Sequence, residues 1–200
     1  MTPAITYPAR PVNGGPFHVA LPKSGKWFYE PKYNGWRALV HVPTRTMFNR
    51  KGELLSIADE FKPALDAIHA TLSAGAFKWV DCEALERRHN LGRGTLIVLD
   101  CVPEPEYATT TYDARKRWLS LVVPTLGHFE QPMAHSVYVS PHFAADEAGG
   151  LYAELAGLNK QWGCEFYEGL VAKRADSTYP IQRRSADTEF PFWVKHRWQF

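Results

Sequence analysis

Two hundred residues, 45% of them hydrophobic and 14% aromatic, make one domain or one domain with a short appendage, and exclude wholesale disorder. Net charge is only +2, no apolar run approaches a membrane span, and the N-terminus lacks the charged-then-apolar order of a signal peptide, so a cytosolic location is the default expectation. Three widely spaced cysteines, Cys82, Cys101 and Cys164, exclude a disulfide framework and a zinc cluster and read as buried thiols.

Residues 1–25 are rich in Pro and Gly and read as an extended lead-in. Lys26–Val42 alternates like two strands around a Gly-containing turn. Thr46–Arg50 is a further short strand, with Lys51-Gly52 as its hairpin turn. Over 57–74, Phe61, Leu65, Ile68 and Leu72 recur at helical spacing. Pro63 falls near the first turn of that helix, where a missing N–H does least harm. Strands are expected over 77–85 (FKWVDCEAL) and 94–102 (GTLIVLDCV), joined by the charged segment ERRHNLGR. A helix follows around 112–122, and another around 144–162 with Leu151, Leu155, Leu158 and Trp162 on one face. The strand EGLVAKR (168–174), a polar loop (175–189) and the closing strand FPFWVKHR (190–197) complete the chain. Helices set between strands, without strict alternation, predict an α+β fold built on antiparallel sheets.

Charge collects at the two ends. Arg10, Lys23, Lys26, Lys32 and Arg37 stand against Glu30, and Lys173, Arg174, Arg183, Arg184, Lys195 and Arg197 outnumber Asp176, Asp187 and Glu189. Basic ends suit phosphates, although an ordinary solvated surface explains charge alone equally well.

The chemistry lies in a series of short polar signatures at strand ends. In Glu30-Pro31-Lys32-Tyr33-Asn34-Gly35-Trp36-Arg37, Lys32 could attack phosphorus only as the free amine. Gly35 gives room for a turn beside a nucleotide, and Arg37 offers a planar fork for phosphate or ribose. Such a pattern alone arises by chance in roughly one chain in twenty of this length. Asp81 and Glu83, two apart on a strand, share one face and suit a divalent metal or a ribose hydroxyl. Glu168 places another acid at the start of a buried strand, where a bare carboxylate is costly. Lys195 and Arg197 project together from the last strand and suit a triphosphate. Arg50 adds a cation at a turn.

In order and spacing this series resembles the covalent nucleotidyltransferases: ATP-dependent DNA ligases, RNA ligases and mRNA capping guanylyltransferases. The resemblance runs from Lys32 to Arg197 and covers nearly the whole chain. It implies an ATP-grasp-like nucleotidyltransferase domain over 1–200, with ATP as AMP donor, Mg²⁺, and nicked duplex DNA or an RNA-containing duplex as partner. By the same resemblance Lys32 is the adenylated residue, and Glu30 reads the adenine amino group. Arg37 and Arg50 touch sugar and phosphates. Glu83 with Asp81 forms the ribose and metal site, and Glu168 is the second metal-binding acid. Lys195 and Arg197 contact the α-phosphate and escort pyrophosphate out. The run EGLVAKRADSTYP is more like a DNA ligase than a capping enzyme.

Three departures stand out. Asn34 replaces the usual aspartate of the nucleophile motif, as in some RNA-joining ligases. Leu99 stands where an aromatic residue commonly stacks on adenine. No region resembling the OB-fold domain that carries the family's last basic motif is found, so a separate OB-fold domain or chain is a further expected partner. The alternatives to a DNA ligase are an RNA ligase, a capping guanylyltransferase, or a non-catalytic nucleotide or nucleic-acid binder.

Overall fold

The computed structural model describes residues 7–15, 17, 24–75, 77–86, 91–127, 130–182 and 188–198. Arg183, Arg184 and Lys23 of the basic ends lie outside them, as do residues 87–90 of the charged connection. The strands are β1 (Tyr7–Pro8), β2 (Arg10–Asn13), β3 (Trp27–Tyr33), β4 (Trp36–His41), β5 (Thr46–Phe48), β6 (Trp79–Leu85), β7 (Thr95–Val102), β8 (Val137–Val139), β9 (Phe143–Ala144), β10 (Tyr167–Arg174), β11 (Ile181–Gln182) and β12 (Glu189–Arg197). Three α-helices join them: α1 (Lys62–Leu72), α2 (Tyr112–Val122) and α3 (Ala148–Trp162).

The strands form two five-stranded sheets. The first has the order β2-β12-β10-β3-β9 and the second β5-β4-β6-β7-β8, while β1 and β11 pair apart. The α+β reading holds, with one correction: the sheets are mixed, since β2 lies parallel to β12 and β8 parallel to β7. Both exceptions involve short edge strands in segments without alternation, so their direction carried no sequence signal. The lead-in contributes β1 and β2 by pairing with strands from the far end of the chain.

Alternation within each sheet decides what faces what. On one face of the first sheet, Tyr29, Tyr33, Leu170, Ala172 and Val194 pack against Leu151, Leu155 and Leu158 of α3. The helix stops at Gly163, whose φ of 64° allows the left-handed cap that catches the last carbonyls. On one face of the second sheet, Ala38, Val40, Val80, Cys82, Ala84, Leu96 and Val98 pack against Phe61, Leu65, Ile68 and Leu72. A 3-10 turn, Ala58–Phe61, precedes α1, and Pro63 sits in the first helical turn as expected. Each of these large apolar side chains is worth about 1.5–3 kcal/mol when fully buried.

The remaining two faces meet. Trp193 of the first sheet packs with Leu39, Phe48, Trp79 and Val102 of the second, along with Tyr179. Leu85 and Ile97 join the core of the first sheet. Between these two contacts the sheets stay apart. Cys82 and Cys101 are buried, whereas Cys164, expected to be buried, is partly exposed.

Helix α2 is fastened differently. Its buried stripe is Tyr112, Arg115, Lys116 and Leu119, with two full charges on it. Arg115 is bidentate to Asp100 of β7, at 2.8 and 2.9 Å. Lys116 pairs at 2.5 Å with Glu30 of β3.

Candidate active site

The gap between the sheets is a cleft of about 710 Å³, a size that suits a nucleotide. The residues given catalytic, nucleotide or metal roles from the sequence all line it: Glu30, Lys32, Arg37, Arg50, Asp81, Glu83, Leu99, Glu168, Lys195 and Arg197. So do Arg10, Lys51, Glu53, Val171, Lys173 and Trp193.

Strand register brings these groups together. In the first sheet, Lys32 stands opposite Gly169, and Gly169 opposite Arg197. Two residues along, Glu30 stands opposite Val171, and Val171 opposite Lys195. Period two puts both rungs on the face away from α3. In the second sheet, Arg37 stands opposite Glu83, two residues from Asp81 on the same face.

Two β-bulges complete the lining. Tyr33 pairs with Tyr167 and Lys32 with Gly169, leaving Glu168 as the extra residue of β10. Likewise Asp81 pairs with Asp100 and Cys82 with Val98, leaving Leu99 as the extra residue of β7. A bulge re-aims the side chain it carries. At Glu168 it turns the carboxylate from the α3 side toward Lys32, whose ammonium it directly contacts. Gly169 makes this possible with a φ of 139°, and a Cβ there would lie 1.9 Å from the His196 carbonyl oxygen. Arg197 reaches the same Glu168 oxygen at 3.3 Å.

The turn after Lys32 is held from both sides. The Gly35 N–H donates to Glu83 Oε1 at 2.9 Å, an approach that a Cβ at Gly35 would block through Glu83 and the Ala84 carbonyl. Asn34 points elsewhere: its Nδ2 donates to the Glu165 carbonyl at 2.9 Å, and its backbone N–H to that of Phe166. Burial pushes the Glu83 carboxyl up to about 7, against the pull of Lys32, the Gly35 N–H and Arg37. Lys195 is pushed down by burial and by the neighbouring Arg197, Arg10 and Lys32 cations.

Three expected ligands are already engaged by protein. Asp81 is 1% exposed, and its oxygens accept from Arg37 at 2.9 and 2.6 Å and from the Tyr179 hydroxyl at 2.8 Å. It clamps Arg37 and does not stand open beside Glu83 as a metal carboxylate. Arg37 also donates to the Ala9 carbonyl, which leaves less of its fork for a sugar or phosphate. Glu30 accepts from Tyr112 and Lys116 on one oxygen and pairs with Lys173 at 2.8 Å on the other. Its carboxyl is held down at about 2: burial opposes this, but the Lys116 and Lys173 ammonium groups outweigh it. With three donors in place, Glu30 has little acceptor capacity left for an adenine amino group. Among the described residues no group of three or more His, Cys, Asp or Glu side chains is arranged to hold a metal ion.

Several residues of the cleft and of the buried pairs behind it were given no individual place by the sequence. Lys173 and Trp193 share faces with Val171 and Lys195 by simple alternation, a signal that was there to use. Lys116 and Arg115 lie at i+4 and i+3 from Tyr112, on the stripe a helix buries, and charge there marks a buried pairing. Arg10 was counted in the basic N-terminal end, but its strand carried no signal, because β2 forms by pairing with β12.

No protein-family model and no curated protein sequence matches the chain. Solved structures match it in shape. A mycobacterial DNA ligase D complexed with ATP and MES superposes over 96% of this chain and 60% of its own length, with TM-score 0.58 and 22% identity. The Chlorella virus DNA ligase–adenylate superposes over 97% of this chain and 69% of its own, with TM-score 0.58 and 13% identity. The chain has the nucleotidyltransferase-domain fold of ATP-dependent DNA ligases. An archaeal ATP-dependent RNA ligase also matches, over 82% of this chain and 43% of its own, with TM-score 0.50 and 13% identity. At these identities the likeness is one of fold. The chain spans 46% and 59% of the first two ligase chains it matches, about half their length.

Proposed function

We propose that this chain is the adenylyltransferase core of an ATP-dependent polynucleotide ligase that seals 5′-phosphate/3′-hydroxyl nicks in DNA through a lysyl-AMP at Lys32. One observation carries the reading: Lys32, Arg197 and Lys195 project from neighbouring rungs of one sheet face into a nucleotide-sized cleft, with Glu168 on the Lys32 amine. ATP fits that geometry. Leu99 and Val171 provide apolar lining for a base, and the cations gather where a triphosphate would lie.

In the first step the Lys32 Nζ attacks the α-phosphorus, and the bond from phosphorus to the pyrophosphate oxygen breaks. The amine must first give up a proton, and Glu168 is the base already in contact with it. Lys195 and Arg197 offset charge on the phosphoryl oxygens and the leaving pyrophosphate. AMP then passes from Lys32 to a 5′-phosphate, returning the nitrogen to its amine form. Finally a 3′-hydroxyl attacks that phosphorus, AMP leaves, and the strand is joined. Basic side chains at the cleft mouth, Arg10, Arg50 and Lys51, suit contact with backbone phosphates without sequence readout.

Mg²⁺ belongs to the same proposal. Glu83 and Glu168 fit it as a pair of carboxylates beside a triphosphate, because Mg²⁺ commonly takes one or two carboxylates and fills its shell with phosphate oxygens and water. Bound there, it would act as a Lewis acid on the phosphoryl oxygens. Asp81, clamped on Arg37, is left out of that set.

A second reading, an RNA ligase, is favoured by Asn34 in the nucleophile motif. Incubation with α-labelled ATP and Mg²⁺, followed by a denaturing gel, tests the enzyme reading, and no label on the chain would end it. Chasing labelled enzyme with nicked DNA or an RNA-containing nick decides between substrates.

A further inference from the structure

Asn34 is the point where this chain departs from the usual nucleophile motif, and its side chain turns away from Lys32. Its amide donates to the Glu165 carbonyl at 2.9 Å, and its backbone N–H donates to the Phe166 carbonyl at 2.9 Å. Residues 165 and 166 lead directly into β10, whose bulge at Glu168 supplies the carboxylate on Lys32. The next residue, Gly35, donates to Glu83 of β6 in the second sheet. A single turn thus ties the nucleophile strand to the start of β10 on one side and to the second sheet on the other. Only a donor serves at position 34, since its acceptor is a carbonyl. An ionised aspartate has no hydrogen to give and would repel that oxygen.

We infer that Asn34 is a positioning residue: by donating to the Glu165 carbonyl it holds the start of β10 against the nucleophile turn and so keeps Glu168 on the Lys32 amine. The inference rests on the adenylyltransferase reading. It carries an unexpected corollary, that restoring the aspartate usual in this motif impairs the chain.

The test compares Asn34→Asp, which removes the donor, with Asn34→His, whose ring Nδ1–H stands near the place of the amide nitrogen. In single-turnover adenylation with labelled ATP and Mg²⁺, Asn34→Asp should slow lysyl-AMP formation at least tenfold. The KM for ATP should stay within about twofold, and Asn34→His should recover most of the rate. A merely structural contact would lower melting temperature without this split between rate and KM. Equal rates for wild type and Asn34→Asp, or equally slow Asp and His variants, overturn the inference. A second readout needs no activity: ¹H–¹⁵N spectra of the lysine ammonium groups. The Lys32 side chain, in contact with Glu168, should show slowed exchange in the wild type, lose that protection in Asn34→Asp and keep it in Asn34→His. Unchanged protection in Asn34→Asp overturns the positioning role even if the wild-type chain forms no adenylate, a result that would count against the enzyme reading separately.

Discussion

Glu168 reaches Lys32 because β10 carries one residue more than β3 between their Tyr167–Tyr33 and Gly169–Lys32 pairs. In regular alternation residue 168 would share the face of Leu170 and Ala172, which packs against α3. The bulge turns that apolar position into a cleft position. The contact gives the Lys32 side chain a carboxylate partner inside the cleft.

The nucleophile assignment predicts that Lys32→Ala and Lys32→Arg both abolish labelling by α-labelled ATP. Arginine keeps the charge but does not deprotonate, so it cannot attack phosphorus. Mass spectrometry of the wild-type chain should place AMP on Lys32 through an acid-labile, hydroxylamine-sensitive bond. AMP on another lysine, or label on the alanine variant, would remove Lys32 from its role.

Gly169 is expected to tolerate no side chain. Its φ of 139° is closed to L-residues, and a Cβ would sit 1.9 Å from the His196 carbonyl oxygen. Backbone shifts at β10 and β12 would have to make room. Gly169→Ala should cost roughly 2–4 kcal/mol in stability, read as a drop of ~5–15 °C in melting temperature. A melt within two or three degrees of wild type, at about 1 kcal/mol or less, would mean the bulge is malleable.

The two sheets and their helices were legible where periodicity was strong. The helix over 57–74 follows from helical spacing and the strands around Lys32 from alternation, while those around Glu83 and Leu99 follow from apolar runs. The fold's edges were not legible, because β2, β8 and β11 are short and become strands only by pairing with distant segments. The site divides the same way. Lys195 and Arg197 follow from period two. What each carboxylate does depends on partners far away in sequence: Asp81 meets Arg37 and Tyr179, and Glu30 meets Lys116 from α2. Sequence spacing places a carboxylate on a face without revealing which cation arrives opposite it.

The cluster of Glu30, Lys116, Lys173 and Tyr112 should contribute stability that acid removes. The Glu30 carboxyl lies at about 2 in the fold against an ordinary value of 4.5. Its contribution is therefore full above about pH 4.5 and is lost as pH falls toward 2. Lys116→Met leaves Glu30 short of one buried cation, so it should lower stability at pH 7 by about 3–5 kcal/mol. It should also flatten the acid limb of the stability curve. Melts from pH 2 to 7 on both proteins check this, and parallel curves would show that Lys116 does not govern Glu30.

Glu83 behaves in the opposite sense, and this separates its part in the site from a part in the fold. Burial pushes its carboxyl up to about 7, so the fold favours the protonated form. Its contribution to stability is full below the ordinary value of 4.5 and is lost as pH rises through 7. Above that, the chain holds an ionised carboxylate whose one hydrogen-bond donor among the described residues is the Gly35 N–H at 2.9 Å. Glu83→Gln keeps an acceptor for that N–H and removes the charge. The variant should match wild type near pH 5 and exceed it by roughly 1–3 kcal/mol at pH 8. If Glu83 also serves Mg²⁺ or ribose, the same change should slow adenylation at least tenfold, while the wild-type rate should rise with pH through about 7 in step with its ionisation. Gain of stability with loss of rate marks a residue kept for chemistry at the expense of the fold. Melts that stay parallel from pH 5 to 8 would show that burial does not oppose its charge, and an unchanged adenylation rate would take Glu83 out of the site.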